Sequence, residues 1–323
     1  MNKQSSSIVS LLGCLFLSMS ILYGQSRQED YRSSDLGNLK QRNNQSLQST
    51  SSSSQKYNEF ANSDLGLQRP VDVKDTGFGY HLGFDTKLYY SNNAPSASSG
   101  IGRESAGIWE NSLSNHFLLG AFDLGGSVFS PIFSLGYSKF SHFGDNDIDI
   151  LDFDTLHFSP NMFFQFSNGW TFRAGLGVML DFSTHDGMEK TYHQISPTIA
   201  LGKGFSIGSG ISTWEWLLAY HITDSDQILD DFLDRFETAF LWSFIIPVNR
   251  LEIAPYMRLA YANYSNQSRD DLIGSLGVDL DYFFTEWFSI GLFSNLSFRG
   301  SSNDDFDFNR LDIGGGLALD AKF

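Results

Sequence analysis

Apolar and polar side chains alternate over many short segments of this chain, beginning near Phe78. Successive side chains of a β-strand point to opposite sides, so a period of two residues indicates strands with two different faces. The clearest segment runs from Trp170 to Phe182, directly after Asn168-Gly169, a strong hairpin signal. Twelve such segments follow one another to the C-terminus, although ten or fourteen strands also fit the pattern. The sequence therefore predicts an all-β fold of antiparallel hairpins.

The connections between these segments alternate between short turns and long polar loops. Three of the long loops are acidic and cover residues 144–154, 223–231 and 300–309. This alternation is typical of barrels with short periplasmic turns and longer extracellular loops. Lipid offers no hydrogen-bond partner to an open sheet edge, so the sheet has to close. We therefore predict a transmembrane antiparallel up-and-down β-barrel of about 12 strands.

The last strand of the chain is amphipathic and ends in an aromatic residue, Phe323. Ile313, Leu317 and Leu319 lie on one face, and Asp312 and Asp320 lie on the other. This strand resembles the closing strand of Gram-negative outer-membrane β-barrel proteins. The resemblance implies that Phe323 is part of the signal read by the barrel-assembly machinery. It also implies contact with outer-membrane lipid and lipopolysaccharide.

At family level the chain resembles the β-barrel porins. The end of the first strand, Tyr89-Tyr90-Ser91-Asn92-Asn93, is similar to an aromatic-Asx-Asn feature of that group. The resemblance covers residues 77–323, which we expect to form the barrel. It sets the compartment and the fold rather than the activity.

The N-terminus supports export to the same compartment. Lys3 precedes an apolar stretch, residues 8–23, and Gly24 ends it, so residues 1–24 read as a signal peptide. A lipobox-like sequence ending at Cys14 leaves lipidation as an alternative. Residues 25–76 are rich in Ser, Gln and Asn, which predicts a disordered periplasmic leader. We expect localisation in the outer membrane of a Gram-negative bacterium.

Composition excludes several classes of function. The formal net charge is −16, so the basic footprint of a nucleic-acid-binding protein is absent. Cys14 is the only cysteine, and a chain cleaved after Gly24 would have neither disulfides nor cysteine-based metal sites. No cofactor is expected.

The polar face of the predicted strands would line the barrel interior. The pore-lining candidates in this pattern are Asp85, Lys87, Arg173, Asp181, Glu237, Arg258, Asp279, Asp281 and Asp312. Adding Glu215, Glu252, Asp320, Arg235 and Lys322 gives nine acidic against five basic inward residues. We therefore predict a passive, porin-like pore for small solutes with a mild preference for cations.

Three alternatives stay open at this stage. Inward ion pairs could instead fill the barrel and leave no pore. The protein could be a structural or adhesive surface barrel whose acidic loops bind ions or polysaccharide, although these loops lack EF-hand spacing. His157 and Ser159 have the His-x-Ser spacing of outer-membrane lipid hydrolases, but Pro160 departs from the Asn expected there. We expect no enzyme.

Overall fold

The barrel is the part of the chain that the structure, a computed structural model, describes. The described residues are 78–96, 104–125, 127–144, 151–184, 189–224, 234–265 and 268–322. The predicted signal peptide and leader, residues 1–24 and 25–76, lie outside them, as does Phe323.

Thirteen strands and one short 3₁₀ helix follow one another along the chain. The strands are β1 Gly79–Ser91, β2 Ala106–Leu118, β3 Phe122–Asp123, β4 Ser127–Phe143, β5 Phe153–Phe166, β6 Trp170–Ser183, β7 Glu189–Ile207, β8 Gly210–Asp224, β9 Arg235–Val248, β10 Leu251–Tyr264, β11 Asp270–Phe283, β12 Phe288–Ser301 and β13 Phe308–Lys322. The 3₁₀ helix, Asp304–Phe306, lies between β12 and β13.

Twelve of the strands close into one antiparallel barrel. Each strand pairs with its neighbours in the sequence, β2 pairs with β4, and β1 pairs with β13 to complete the ring. The two-residue strand β3 lies in the β2–β4 connection and pairs only with β4. The predicted all-β barrel and its twelve strands are thus confirmed, with β3 as an addition.

One turn lies later than the sequence pattern predicts. The alternation suggests that the chain turns at Lys203-Gly204, but β7 continues to Ile207. The turn follows at Gly208, whose φ of 60° is a left-handed conformation that glycine adopts at little cost. The hairpin of β7 and β8 therefore extends further toward the short-turn end of the barrel than expected.

The two faces of the barrel wall have the reverse of the usual polarity. Large apolar side chains on the outward face are exposed, among them Leu88, Leu276 and Leu292 at 57–59%. Charged side chains on the inward face, such as Arg258 and Asp281, are buried. An apolar band of this extent around a closed barrel fits a lipid environment rather than water.

No helix in the described ranges is long and apolar enough to cross a membrane.

Aromatic side chains mark the two ends of the apolar band. At the end with the long loops, Trp109 Nε1 donates to Thr86 Oγ1 at 2.9 Å. At the end with the short turns, the rings of Trp170 and Trp214 meet edge-on at 5.2 Å. The amphipathic rings of Trp and Tyr favour membrane–water interfaces, so these residues set the height of the band.

Four prolines lie on the outward face of the strands: Pro131, Pro160, Pro197 and Pro255. Pairing skips a few residues around three of them, yet the register is the same on both sides of each gap. The prolines thus omit hydrogen bonds without shifting the ladder. The irregularity in register among the described pairs lies elsewhere, between Asp181 and Phe182.

The barrel lumen as the candidate functional site

All nine predicted pore-lining residues lie on the inward face of the barrel, and each is buried. Their orientation follows from the strand alternation. Every second side chain of a strand points inward, and each of these residues occupies such a position on its strand. Their role as the lining of an open pore remains a prediction.

Many of the inward charges form ion pairs between neighbouring or nearby strands. Arg173 Nη2 on β6 donates to Glu215 Oε1 on β8 at 2.7 Å. Arg258 on β10 pairs with Glu237 on β9. Lys87 Nζ lies 3.5 Å from Glu110 Oε1. Because such pairs neutralise one another, the barrel interior has fewer uncompensated charges than the sequence count suggests.

The sequence pattern missed five inward charged residues. They are Glu110, Arg269, Asp271, Arg299 and Arg310, and all are buried. These residues lie near strand ends, where the alternation was assigned to loops or to weak segments. Strand alternation could have identified one of them. Asp271 lies an even number of residues from the inward Asp279 and Asp281 on β11, so its side chain points to the same face.

Arginine and aromatic side chains are packed together at the long-loop end of the lumen. The Arg269 guanidinium lies 3.5 Å from the centre of the Phe306 ring and 4.2 Å from that of Tyr264. It also pairs with Asp271, whose Oδ2 lies 3.6 Å from Arg299 Nε. These contacts attach the β12–β13 loop to the inner wall.

The inward charges are unevenly distributed along the barrel axis. In the half nearer the short turns, the described residues include six inward carboxylates and only two inward basic side chains. The carboxylates are Asp85, Glu215, Glu252, Asp279, Asp281 and Asp320, and the basic residues are Arg173 and Lys322. In the other half, five carboxylates accompany six basic residues: Glu110, Asp181, Glu237, Asp271 and Asp312 against Lys87, Arg235, Arg258, Arg269, Arg299 and Arg310. The lumen is therefore acidic at one end and nearly neutral at the other.

Two carboxylates of the acidic half face each other directly. Asp281 on β11 is in register with Glu252 on β10, and Asp279 lies two residues further along the same inward face. On the other side of the lumen, Asp320 Oδ1 lies 2.9 Å from His81 Nε2. Like charges on neighbouring strands repel, so the free energy of this region falls when a cation lies between them.

The His–Ser pair proposed for a lipid hydrolase is not joined in the structure. Both side chains point inward from β5, but Ser159 Oγ accepts a hydrogen bond from Asn161 Nδ2 at 2.7 Å. The His157 ring instead lies against Gly136 on β4. A serine without an adjacent base is a weak nucleophile, so this pair gives little support to catalysis.

Other histidines do bond to serines, but across strands. His116 Nδ1 lies 2.8 Å from Ser134 Oγ, and His221 Nδ1 lies 2.7 Å from Ser196 Oγ. Each pair joins neighbouring strands and is buried in the wall. The repetition of this arrangement indicates that a hydroxyl satisfies a buried imidazole, which is a structural role. Strand register, which the sequence does not specify, was needed to find these pairs.

The acidic loops are described only in part. Most of the first two acidic loops lies outside the described residues, namely residues 145–150 of the first and 225–231 of the second. In the third acidic loop, Asp307 Oδ1 accepts the backbone N–H of Ser301 at 2.6 Å, so this carboxylate shapes its own loop. Among the described residues, no group of three or more His, Cys, Asp or Glu side chains could hold a metal ion.

The wall and the lumen together define the class of protein. A closed antiparallel barrel with an apolar outer band, aromatic ends and a charged interior is a transmembrane β-barrel of the outer-membrane type. Its short turns mark the periplasmic end and its long loops the extracellular end. The acidic half of the lumen is therefore the periplasmic half.

No protein-family model matches the chain, and no curated protein sequence matches it either. Among solved structures, the chain is similar to an outer-membrane channel from Pseudomonas putida F1, with 10% identity, 78% of this chain and 100% of that chain covered, and a TM-score of 0.46. It is also similar to the NanC porin, with 11% identity, 73% and 98% covered, and a TM-score of 0.43. The β domain of the Bordetella autotransporter BrkA gives 11% identity, 75% and 99% covered, and a TM-score of 0.39.

Proposed function

We propose that the protein is a passive, non-enzymatic pore of the outer membrane for small solutes, with a mild preference for cations. The observation that carries the proposal is the acidic periplasmic half of the lumen inside a closed membrane-spanning barrel. Inward side chains keep little exposed surface, so the proposed passage would be narrow and would admit only small solutes. We also propose that residues 1–24 direct export and that the barrel-assembly machinery inserts the chain.

Selectivity in this mechanism comes from charges fixed on the wall. A cation entering from the periplasm meets Asp281 and Glu252 first and then Asp279. The low-dielectric wall strengthens these interactions and raises the local concentration of cations. In the extracellular half the ion pairs balance, so that half restricts width more than sign. Transport would be diffusion through this path.

The test is single-channel recording from the mature protein in a planar bilayer with a salt gradient. We expect steady steps and a reversal potential that indicates cation preference. Replacing Asp279 and Asp281 together by Asn removes two charges at nearly constant volume. We expect this variant to lose most of the cation preference while it continues to conduct.

Asp123→Asn is the matched control, because Asp123 is exposed in the β2–β4 connection outside the lumen. It should leave the reversal potential unchanged. A silent bilayer, with a correctly folded barrel shown by heat-modifiable gel mobility, would refute the pore. Steps whose reversal potential is the same in the parent and the double variant would refute the location of the filter.

A further inference from the structure

One sector of the inner wall is built from short side chains that are nevertheless buried. Ser112 on β2, Asp85 on β1, Ala318 on β13 and Ser289 on β12 are in register across four neighbouring strands. All four point inward, and their exposed fractions are 6%, 4%, 3% and 1% in that order. We call these four residues the short row. Asp85 places the row in the acidic half of the lumen.

Side chains of this length cannot fill the interior of a twelve-stranded barrel. Eight strands leave an interior that side chains just fill, and the diameter grows with each added strand. Gly83 and Gly316 occupy neighbouring inward positions, two residues from Asp85 and Ala318, and add no side chain. The burial of the short row therefore indicates that further groups fill the lumen beside it.

The charge around the short row indicates what those groups carry. This half of the lumen has six inward carboxylates against two inward basic side chains among the described residues. Glu110, two residues from Ser112 on β2, is fully buried, and its Oε2 has no hydrogen-bond partner in the described part of the chain. A buried carboxylate is unfavourable unless a donor or a cation pairs with it. The filling groups should therefore include basic ones.

We propose that residues 36–58 of the predicted leader occupy the lumen beside the short row. This segment carries Lys40, Arg42 and Lys56 and no acidic residue. The rest of residues 25–76 has seven acidic against four basic residues, so 36–58 is the stretch whose charge complements the acidic half. The bound segment narrows the passage, and its displacement widens it. This inference rests on the proposed pore, whose regulation it describes.

The leader joins the barrel at the end where the lumen is acidic. It is continuous with β1, which begins at Gly79 at the short-turn end. The connection, residues 59–78, has twenty residues, and an extended chain of that length reaches about 66 Å. That reach exceeds the length of β1, which has 13 residues. Attachment at this mouth also keeps the effective concentration of the segment high.

Thiol labelling tests whether the segment covers the wall. Cys14 lies in the predicted signal peptide, so Ala318→Cys places one thiol in the mature protein. A water-soluble maleimide should label this variant slowly. Replacing Lys40, Arg42 and Lys56 together by Gln should make labelling several-fold faster, because the attraction to the acidic half is lost. Heat-modifiable gel mobility confirms that each variant is folded.

The matched control neutralises three basic residues of the leader outside the proposed segment. Replacing Arg27, Arg32 and Lys74 together by Gln should leave the labelling rate at Ala318→Cys unchanged. Equal rates in the parent and both triple variants would overturn the proposal, because some other group then covers the short row. Equally fast labelling in both triple variants would overturn it as well, since the position of the charges would not matter.

Single-channel recording separates this inference from the pore itself. Neutralising the three basic residues of 36–58 should raise the conductance, whereas the control variant should conduct like the parent. If every protein is silent, the pore is refuted, and the labelling rates alone decide where the segment lies. Conducting proteins with equal conductance and equal labelling would overturn the inference and leave the pore standing. Faster labelling at unchanged conductance would overturn the regulatory role.

Discussion

Inward glycines allow large aromatic side chains to lie against the barrel wall. A Cβ added to Gly314 on β13 would overlap the Tyr89 Cβ on β1, and one added to Gly277 would overlap the Tyr256 ring. A ring that covers a glycine on a neighbouring strand protects the exposed backbone and supports the pairing. Tyr89 also packs edge-on against Phe293 at 5.5 Å. These glycines therefore decide where aromatic side chains fit inside the lumen.

Replacing Gly314 by Ala should destabilise the barrel by about 1–3 kcal/mol, the usual cost of an overpacked site. The cause is overlap with Tyr89 and with the Leu88 carbonyl. Urea titration in detergent, with the folded fraction read from heat-modifiable gel mobility, measures the change. Gly300→Ala is the control, since a Cβ there meets nothing within 4 Å. Equal stability of the two variants would contradict this account.

The closed sheet tolerates single defects in its strands when the register continues beyond them. Pro197 lies on the outward face of β7, where pairing with β8 stops after Ile195 and resumes at Thr198 in the same register. The missing N–H leaves a gap in the ladder rather than a bulge. The strand is long enough to be held in place from both sides.

Pro197→Val should stabilise the barrel by about 0.5–1.5 kcal/mol, the typical net value of one added hydrogen bond. Valine also suits an outward strand position. The same urea titration measures this gain in stability. Pro247→Val is the control, because Pro247 is exposed near the β9–β10 turn and lies outside the gap in the β7–β8 pairing. A loss of stability at Pro197 would show that the proline has a positive role in the strand.

The closing strand carries a prediction about assembly. The resemblance to outer-membrane barrels predicts that Phe323 is read by the insertion machinery. Deleting Phe323 should lower the amount of folded barrel in the outer membrane several-fold, measured by membrane fractionation and gel mobility. Phe323→Tyr keeps the aromatic ring and should insert normally. Insertion of the deletion variant at the parent level would refute this prediction.

The inward charges of the barrel are distributed asymmetrically along its axis. Its periplasmic half has an excess of inward carboxylates, whereas its extracellular half is nearly balanced by arginines such as Arg235, Arg299 and Arg310. Fixed charge at one mouth attracts counter-ions there and not at the other. A pore with this distribution conducts differently in the two directions.

In symmetric low salt, the current should be larger when the voltage drives cations from the periplasmic to the extracellular mouth. Cations leaving the acidic half then meet anions entering from the other side, and both accumulate in the lumen. Raising the salt to about 1 M shortens the screening length to about 3 Å and should abolish most of the asymmetry. Recordings with oriented insertion check this. A symmetric current–voltage curve at low salt would contradict it.

Much of the fold could be predicted from the sequence because strand alternation is a local property. The inward orientation of Arg173 or Asp281 follows from neighbouring residues and needs no long-range information. Turn positions were less certain: β7 runs past Lys203-Gly204, since pairing with β8 outweighs a local turn preference. The inward charges near strand ends, such as Arg310, were missed because alternation weakens where loops begin.

The sequence by itself determined the fold class, a strand count of about twelve and which face of most strands carries charge. The tertiary structure alone decided which charges meet and at what height. Arg173 pairs with Glu215, 42 residues away, and His81 with Asp320, 239 residues away. The physical reason is stagger: closing a tilted sheet shifts each strand along its neighbour. That shift, which no single segment encodes, decides which inward charges of different strands lie beside one another.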